Sequence, residues 1–497
     1  MMVTRNVVAN FVGRGWIGLV ALVFLPVYFR FLGPEGYGLV GLFVTFQAFS
    51  GLLDLGLAAT LTRELARLSA SPNGADQGRD LLRTLEVVYL AMAAAISLVA
   101  WWVAPAIASG WLRVKEADAE PIANAIALMG LALALQWPSA LYSGALNGVQ
   151  RQGLQNALAA GFATLRFGGA VLVLWLVAPT AEAFFIWQAV AGAAYTLLNG
   201  RAAWGTIKPS GRPARFDAVA LRKLWRFAAG ITGISMTAVV LTQADKLILS
   251  RMLPLAEFGY YALAATVAGG FYLLAAPFFA ALFPRLAELH AAGDEAAVRA
   301  LYHRACQALA VLILPAAALL VLNGDQILAA WIGDPATAES VYPLLSLLVI
   351  GTTCNALYSI PYALQLAYGW TRLALWLNLG AILVLGPVLA WSTGEYGAKG
   401  AATVWILVNA IYLIIGIHLM HGRLFPREKL SWYRDDVLPA LVATLVVSVP
   451  ARIWLRPEVP TTVELLGWLV VVAILSVAFA ALLTPCSRSR LLAAIHA

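Results

Sequence analysis

Apolar runs of about twenty residues recur along this chain, and a run of that length leaves little choice of fold. Hydrocarbon offers no partner to a backbone N–H or C=O, so the run must satisfy its own hydrogen bonds and cross as a helix. Hydropathy places fourteen such runs, at about residues 8–29, 38–60, 85–107, 122–146, 154–177, 182–204, 227–249, 258–283, 305–323, 341–366, 373–391, 400–420, 437–454 and 463–483. Of the 497 residues 62% are hydrophobic and 12% charged, a balance that excludes a soluble protein. The expected fold class is all-α integral membrane, with fourteen transmembrane helices. The first run follows Arg5 and continues without a small-residue cleavage pattern, so it reads as a retained span and not as a signal peptide.

Charge gives the orientation. An even number of spans puts both termini on one side; with Arg201 and Arg452, at span ends, counted on the faces they adjoin, 23 of the 33 Lys and Arg fall on that side, 7 on the other and 3 (Arg14, Arg166, Lys246) inside spans. Positive residues mark the cytoplasmic face, so a multi-pass protein with both termini cytoplasmic is expected. The densest basic segment, Arg201 to Arg226, reads as a topology signal and a contact for anionic membrane lipids. The basic residues follow the membrane, and no nucleic-acid partner is expected. Cys306, Cys354 and Cys486 lie in or beside apolar helices at no metal-ligand spacing. His290, His303, His418, His421 and His496 fall at cytoplasmic ends or in the tail, where solvated residues are expected rather than ligands. No glycine loop cradles a phosphate, no nucleophile has a base, and no hydrophilic loop is long enough for a catalytic domain, so an enzyme is disfavoured and neither cofactor nor metal is expected.

A repeat underlies the pattern. A shift of 221 residues superposes Arg30 on Arg251, Gly38 on Gly259, Gly148 on Gly369 and Arg151 on Arg372, so spans one to six correspond to seven to twelve. Both halves start on the same side and run in the same direction, the parallel-repeat plan of transporters, with a substrate cavity expected between two six-helix lobes. The organisation read from this is an N-terminal lobe at 1–207, a basic cytoplasmic linker at 208–226, a C-terminal lobe at 227–421, and two additional helices with a short tail at 422–497. The shift does not conserve the charges inside spans: Arg166 meets Pro387, Asp54 meets Ala275, Arg14 meets Ser235, and Asp245 and Lys246 meet Phe24 and Leu25.

These unmatched charges are the candidate functional residues. Arg166 lies near the middle of span five, where a guanidinium costs roughly 2.5–3.5 kcal/mol unless water, a counter-charge or a polar ligand meets it. It either braces the bundle through neighbouring carbonyls or receives an anionic headgroup; Gly161, Ala163, Gly168, Gly169 and Ala170 around it leave room for close helix approach or a cavity. Arg14 is a helper or a snorkelling side chain. Asp54 is its counter-charge or a helix-packing acceptor. On span seven Ser235, Thr242, Asp245 and Lys246 form a polar stripe, in which Asp245 and Lys246 are either a structural ion pair or a gating and coupling group. Gln136, Trp137 and Tyr142 surround Pro138 in span four, and a kink there would offer a sugar stacking faces and hydrogen bonds.

Several segments carry a family likeness. Asn10 to Gly15, Leu32-Gly33-Pro34-Glu35-Gly36-Tyr37-Gly38, Leu53-Asp54-Leu55-Gly56-Leu57, Gly144 to Arg151, Gln243-Ala244-Asp245-Lys246-Leu247 and Phe283-Pro284-Arg285-Leu286 together resemble the polysaccharide exporter, or O-antigen-type lipid-linked oligosaccharide flippase, family of the multidrug, oligosaccharidyl-lipid and polysaccharide exporter superfamily. The likeness spans about residues 5–425. It implies two six-helix lobes around a central cationic cavity in a bacterial inner membrane, and alternating access. The cargo it implies is an oligosaccharide on undecaprenyl pyrophosphate, moved from inner to outer leaflet for O-antigen, capsule or exopolysaccharide synthesis. Arg166 and Arg14 would then hold the anionic headgroup, Asp245, Lys246 and Asp54 would serve coupling or gating by Na+ or H+, and a polysaccharide polymerase would be a partner. A peptidoglycan lipid-precursor flippase and a cation-coupled multidrug exporter are the alternatives on the same fold; a membrane glycosyl- or phosphotransferase is the alternative of another class.

Overall fold

The computed structural model describes residues 2–69, 74–113, 119–207, 212–455 and 462–485. Fifteen α-helices carry the described chain. In order they are α1 (Met2–Leu53), α2 (Leu57–Leu68), α3 (Gly74–Ala106), α4 (Ala119–Gln136), α5 (Ser139–Gly148), α6 (Gln152–Leu176), α7 (Ala181–Thr206), α8 (Ala218–Met252), α9 (Leu255–Ala291), α10 (Glu295–Ile332), α11 (Pro335–Ala367), α12 (Thr371–Ile411), α13 (Ile417–Leu424), α14 (Leu438–Trp454) and α15 (Thr462–Leu483). Short π-helical stretches at Tyr412–Gly416 and Trp432–Val437 precede α13 and α14.

Among the described residues eleven helical segments are long and apolar enough to cross a membrane. Two of them hold two crossings each, because a left-handed glycine turns the chain without ending the helical run: Gly33 at φ 67° in α1 and Gly397 at φ 59° in α12. With α8 over the seventh predicted span, every one of the fourteen runs falls on helix. Trp101, Trp102, Trp376 and Leu383 are each at least 70% exposed, as expected of side chains on the outer surface of a membrane-spanning bundle.

Two spans differ from their predicted form. Span two stops at Leu53, short of residue 60, because Leu55 (φ 50°) and Gly56 (φ 73°) both take the left-handed conformation. The chain then restarts as α2, which buries Leu57, Thr60, Leu61, Leu65 and Leu68 and turns Arg63 and Arg67 outward. Span four breaks between α4 and α5 at Trp137–Pro138, where proline supplies no N–H to the ladder.

Two compact units divide the chain, Met1–Gly259 and Tyr260–Ala497. In the first, α1 packs on α6, α4 on α3 and α7, α2 on α5, and α8 on α1. Gly38 and Gly259, which the repeat superposes, meet inside this unit. A Cβ on Gly38 would lie 2.6 Å from the Leu255 carbonyl oxygen, and one on Gly259 would lie 1.9 Å from that of Pro34. Pro34 and Leu255 are themselves related by the same shift, so the contact is reciprocal.

The chain leaving α7 is clasped back onto α3. Arg212 pairs both terminal amino groups with the Asp80 carboxylate, the Arg215 amide donates to the same carboxylate at 2.7 Å, and the Asp217 amide donates to Thr84 at 2.8 Å. The stretch read from sequence as a topology signal is thus also a tether. In the second unit α10 packs on α11, α11 on α12, and the two helices outside the repeat, α14 and α15, on each other and on α10.

The Gly38–Gly259 crossing yields a test. Gly259→Ala should lower the midpoint of thermal unfolding of the detergent-solubilised protein, by an overpacking cost of about 1–3 kcal/mol. Gly205→Ala, with nothing within 4 Å of its added methyl, should not lower it.

Candidate functional site

Arg166 lies within a cluster of polar and aromatic side chains in the first unit. It sits on α6, half-buried, and donates from Nε to the Gln188 side-chain oxygen of α7 at 2.5 Å. Gln188 is only 3% exposed, so the amide is fixed before any ligand arrives. The guanidinium carbon stands 5.5 Å from the ring centre of Phe43, 5.5 Å from Phe167 and 6.0 Å from Phe162, within cation–π reach of all three.

Neighbouring contacts hold those rings. Tyr28 donates its hydroxyl to the Phe167 carbonyl at 2.7 Å and meets Phe184 edge-on, Phe43 meets Phe185, and Phe162 stacks on Tyr195 with ring centres 4.1 Å apart. Trp187 donates to the Arg166 carbonyl at 3.0 Å. Gly169 is what lets that indole in: a Cβ there would stand 2.1 Å from the Trp187 ring. Of the small residues flagged by sequence, Ala163 and Ala170 are buried in helix packing, whereas Gly161 has nothing within 4 Å of a built Cβ.

Among the described residues no carboxylate lies within ion-pair distance of Arg166, and its two terminal amino groups make no protein hydrogen bond. The result is a cation oriented by an amide, faced by aromatic rings and left without a counter-charge among the described residues. Such a group can accept an oxyanion and has no proton to trade near neutral pH, so it binds but performs no acid–base chemistry.

The other candidates gather elsewhere. Asp54, at the break before α2, accepts from the Ala58 amide at 3.3 Å and from the Tyr89 hydroxyl, acting as a cap for α2. It lies just beyond the end of α1, about 16 Å from Phe43 along the helix axis, and makes no ion pair with Arg166. Trp137 stacks on Tyr89 with ring centres 4.5 Å apart and donates to the Ser50 carbonyl at 3.1 Å; Tyr142 donates to Glu86 at 2.6 Å; Gln136 accepts from Gln47 at 3.2 Å. Trp137 and Tyr142 are each 6% exposed, so in this structure the rings expected to face a sugar are core residues. Asp245, 7% exposed, lies 3.5 Å from the Lys246 ammonium, which also donates to the Thr242 carbonyl at 3.2 Å. Arg14 and Ser235 lie on helices, but their side chains fall outside the described residues, as do Lys208, Pro209, Gly211, Cys486 and His496 altogether.

Sequence reasoning missed several participants. Glu86 is 8% exposed and accepts from Arg83, Tyr142 and Trp204, tying α3, α5 and α7 together. Gln188 and Phe43 belong to the Arg166 cluster without any spacing that announces it. His303 and His421, expected to be solvated, are instead engaged: His303 contacts two carboxylates, and His421 is fully buried against Tyr302.

Comparison with known proteins agrees with this layout. The family described as polysaccharide biosynthesis protein matches residues 3–290, and the MatE family matches residues 231–392. A curated relative named putative O-antigen transporter, from Shigella flexneri, is 22% identical over 83% of this chain and 97% of its own length. Among solved structures, a lipid II flippase MurJ in an inward closed conformation superposes with TM-score 0.70 at 13% identity, over 96% of this chain and 98% of that one. An inward-facing multidrug resistance MATE family transporter superposes with TM-score 0.62 at 14% identity, over 83% and 96%. The fold is therefore that of multi-pass, all-helical membrane transporters, and the protein is not an enzyme.

Gln188→Leu tests the anchoring of the guanidinium. Loss of the buried acceptor leaves Nε unpaired and should destabilise the solubilised protein by about 1.5–3 kcal/mol, read as a lowered midpoint of thermal unfolding.

Proposed function

Because the chain belongs to the polysaccharide biosynthesis protein family, we propose that it carries an oligosaccharide linked to undecaprenyl pyrophosphate from the inner to the outer leaflet of the bacterial cytoplasmic membrane, by alternating access, for surface polysaccharide synthesis. A pyrophosphate cannot pass hydrocarbon bare, since an isolated ionised group faces a cost of tens of kcal/mol there. It needs a fixed cation part-way.

Arg166 supplies one, and its lack of a counter-charge among the described residues is the observation that carries the reading. Gln188 and the three phenylalanines set the plane of the guanidinium, and the terminal amino groups are presented as a fork to the oxygens of a diphosphate. Arg14 assists from α1. Asp245 and Lys246 serve as the coupling or gating pair, exchanging partners as the protein alternates; a charge moved through 100 mV of membrane potential contributes about 2.3 kcal/mol, enough to bias a nearly symmetric exchange. Both termini are cytoplasmic by the distribution of Lys and Arg.

The 0.70 superposition on a lipid II flippase favours a second reading, in which the cargo is a peptidoglycan lipid precursor. Depletion of the protein separates the two: loss of a surface polymer with intact cell-wall synthesis supports the first, arrest of wall synthesis the second. A cation-coupled drug exporter would call for an acidic site where this one has Arg166.

Two substitutions test the site. Arg166→Ala should abolish export of surface polysaccharide at normal protein level. Gln188→Glu, which places a carboxylate at hydrogen-bond distance from the guanidinium, should keep the fold and abolish export equally by neutralising the fork. Undiminished export in either variant would remove Arg166 from the transport site.

A further inference from the structure

A second charged cluster lies at one end of the second unit, in residues that the Arg166 site does not use. His303 of α10 contacts the Asp436 carboxylate through Nδ1 at 2.5 Å and the Glu428 carboxylate through Nε2 at 3.1 Å. Glu428 precedes the π-helical stretch Trp432–Val437 and Asp436 belongs to it; that stretch leads directly into α14. π-helical turns re-aim side chains and often mark functional positions. Here one aims Asp436, fully buried, at α10, where Gln307 donates to its second oxygen at 2.9 Å.

The proton count follows from geometry. A neutral imidazole has one N–H and one lone pair, yet both ring nitrogens of His303 face carboxylate oxygens. If every group were deprotonated, one contact would set lone pair against lone pair. The arrangement holds together only with one further proton, carried by His303 or shared with Asp436.

The surrounding groups do not supply that charge another way. Arg299 pairs with Glu428 at 2.6 Å, and Asp435 is paired with Arg434 at 2.7 Å. Tyr302 meets the His303 ring edge-on and bonds the buried His421, and Cys306 accepts from the indole of Trp432. No other ionisable group among the described residues, on α11, α14 or α15, is in hydrogen-bonding or ring contact with His303.

We propose that His303, Asp436 and Glu428 form a proton-binding site, and that the bound proton latches the segment leading into α14 onto α10. A closed latch holds this proton, whereas an open one exposes an ordinary imidazole with a pKa of about 6.5. Closed therefore binds more protons than open above that value. The latch is fully stable below about pH 6.5 and weakens as pH rises through the closed-state value, by up to tenfold in the closed-to-open ratio per pH unit.

Hydrogen exchange of the intact protein in detergent, followed by mass spectrometry on peptides covering residues 426–437 and corrected for intrinsic rates between pH 6 and 9, tests this. In the wild type, protection of that segment should fall steeply over part of the range while α11 stays protected. In His303→Gln, which can donate but cannot titrate, protection should be lower at pH 6 and independent of pH. Flat protection in the wild type across the range overturns the proposal without reference to any variant. So does a His303→Gln protein that keeps the pH dependence of the wild type.

Discussion

Hydrocarbon does not solvate charge, and nearly every choice in this molecule answers to that. The backbone is helical wherever it crosses, because only then does each peptide group find its partner within the segment. The side chains follow the same rule at closer range. Asp54 is capped by a backbone amide and a tyrosine, Glu86 is held by an arginine, a tyrosine and a tryptophan, and Asp436 is enclosed by a histidine and a glutamine. Against that background Arg166 is the exception: its neighbours orient it and none of the described ones neutralises it. These three anions are satisfied locally, whereas the guanidinium in the middle of α6 has no counter-charge among the described residues.

The internal repeat shows how far backbone and chemistry can part. In each unit the chain that leaves the last repeat helix folds back onto an early helix. In the first, Asp80 of α3 grips Arg212 and the Arg215 amide; in the second, His303 and Gln307 of α10 grip Asp436. Residues 215 and 436 are related by the same shift of 221 that pairs Gly38 with Gly259. The route of the chain is shared, while acid and base have changed places. The shift superposes glycines that pack closely, whereas the charges inside spans have no counterpart under it.

Much of the fold was legible because its main signal is additive. Twenty apolar residues read as a span whatever surrounds them, and all fourteen runs fell on helix. The break after Leu53 was harder. A left-handed leucine has no sequence signature, and Leu55 adopts that conformation because Asp54 caps α2 and Gly56 completes the turn. The candidate site was legible by halves. Arg166 announced itself by being charged where charge is costly; Gln188 and Phe43 did not, since an amide or a phenylalanine in a span is unremarkable until a distant helix brings it close. His303, Glu86 and Asp436 were hidden for the opposite reason. Charged residues near span ends are what topology predicts, and only packing distinguishes one that is solvated from one that is enclosed. Trp137 and Tyr142 illustrate the converse, for aromatic and polar character suits a sugar and a core equally.

The surroundings of Arg166 carry one consequence for selectivity. With rings near the guanidinium and Gln188 on its Nε edge, the group presents its remaining two nitrogens in a single plane. A planar fork of that kind grips any pair of oxygens at the right spacing, whether they belong to phosphate, sulfate or carboxylate. It recognises an anion but cannot name one. Under the proposed function, discrimination among lipid carriers would therefore reside in how the rest of the wall fits what hangs from the headgroup, and a variant altered in cargo would be sought among residues that line the path, with the arginine left in place.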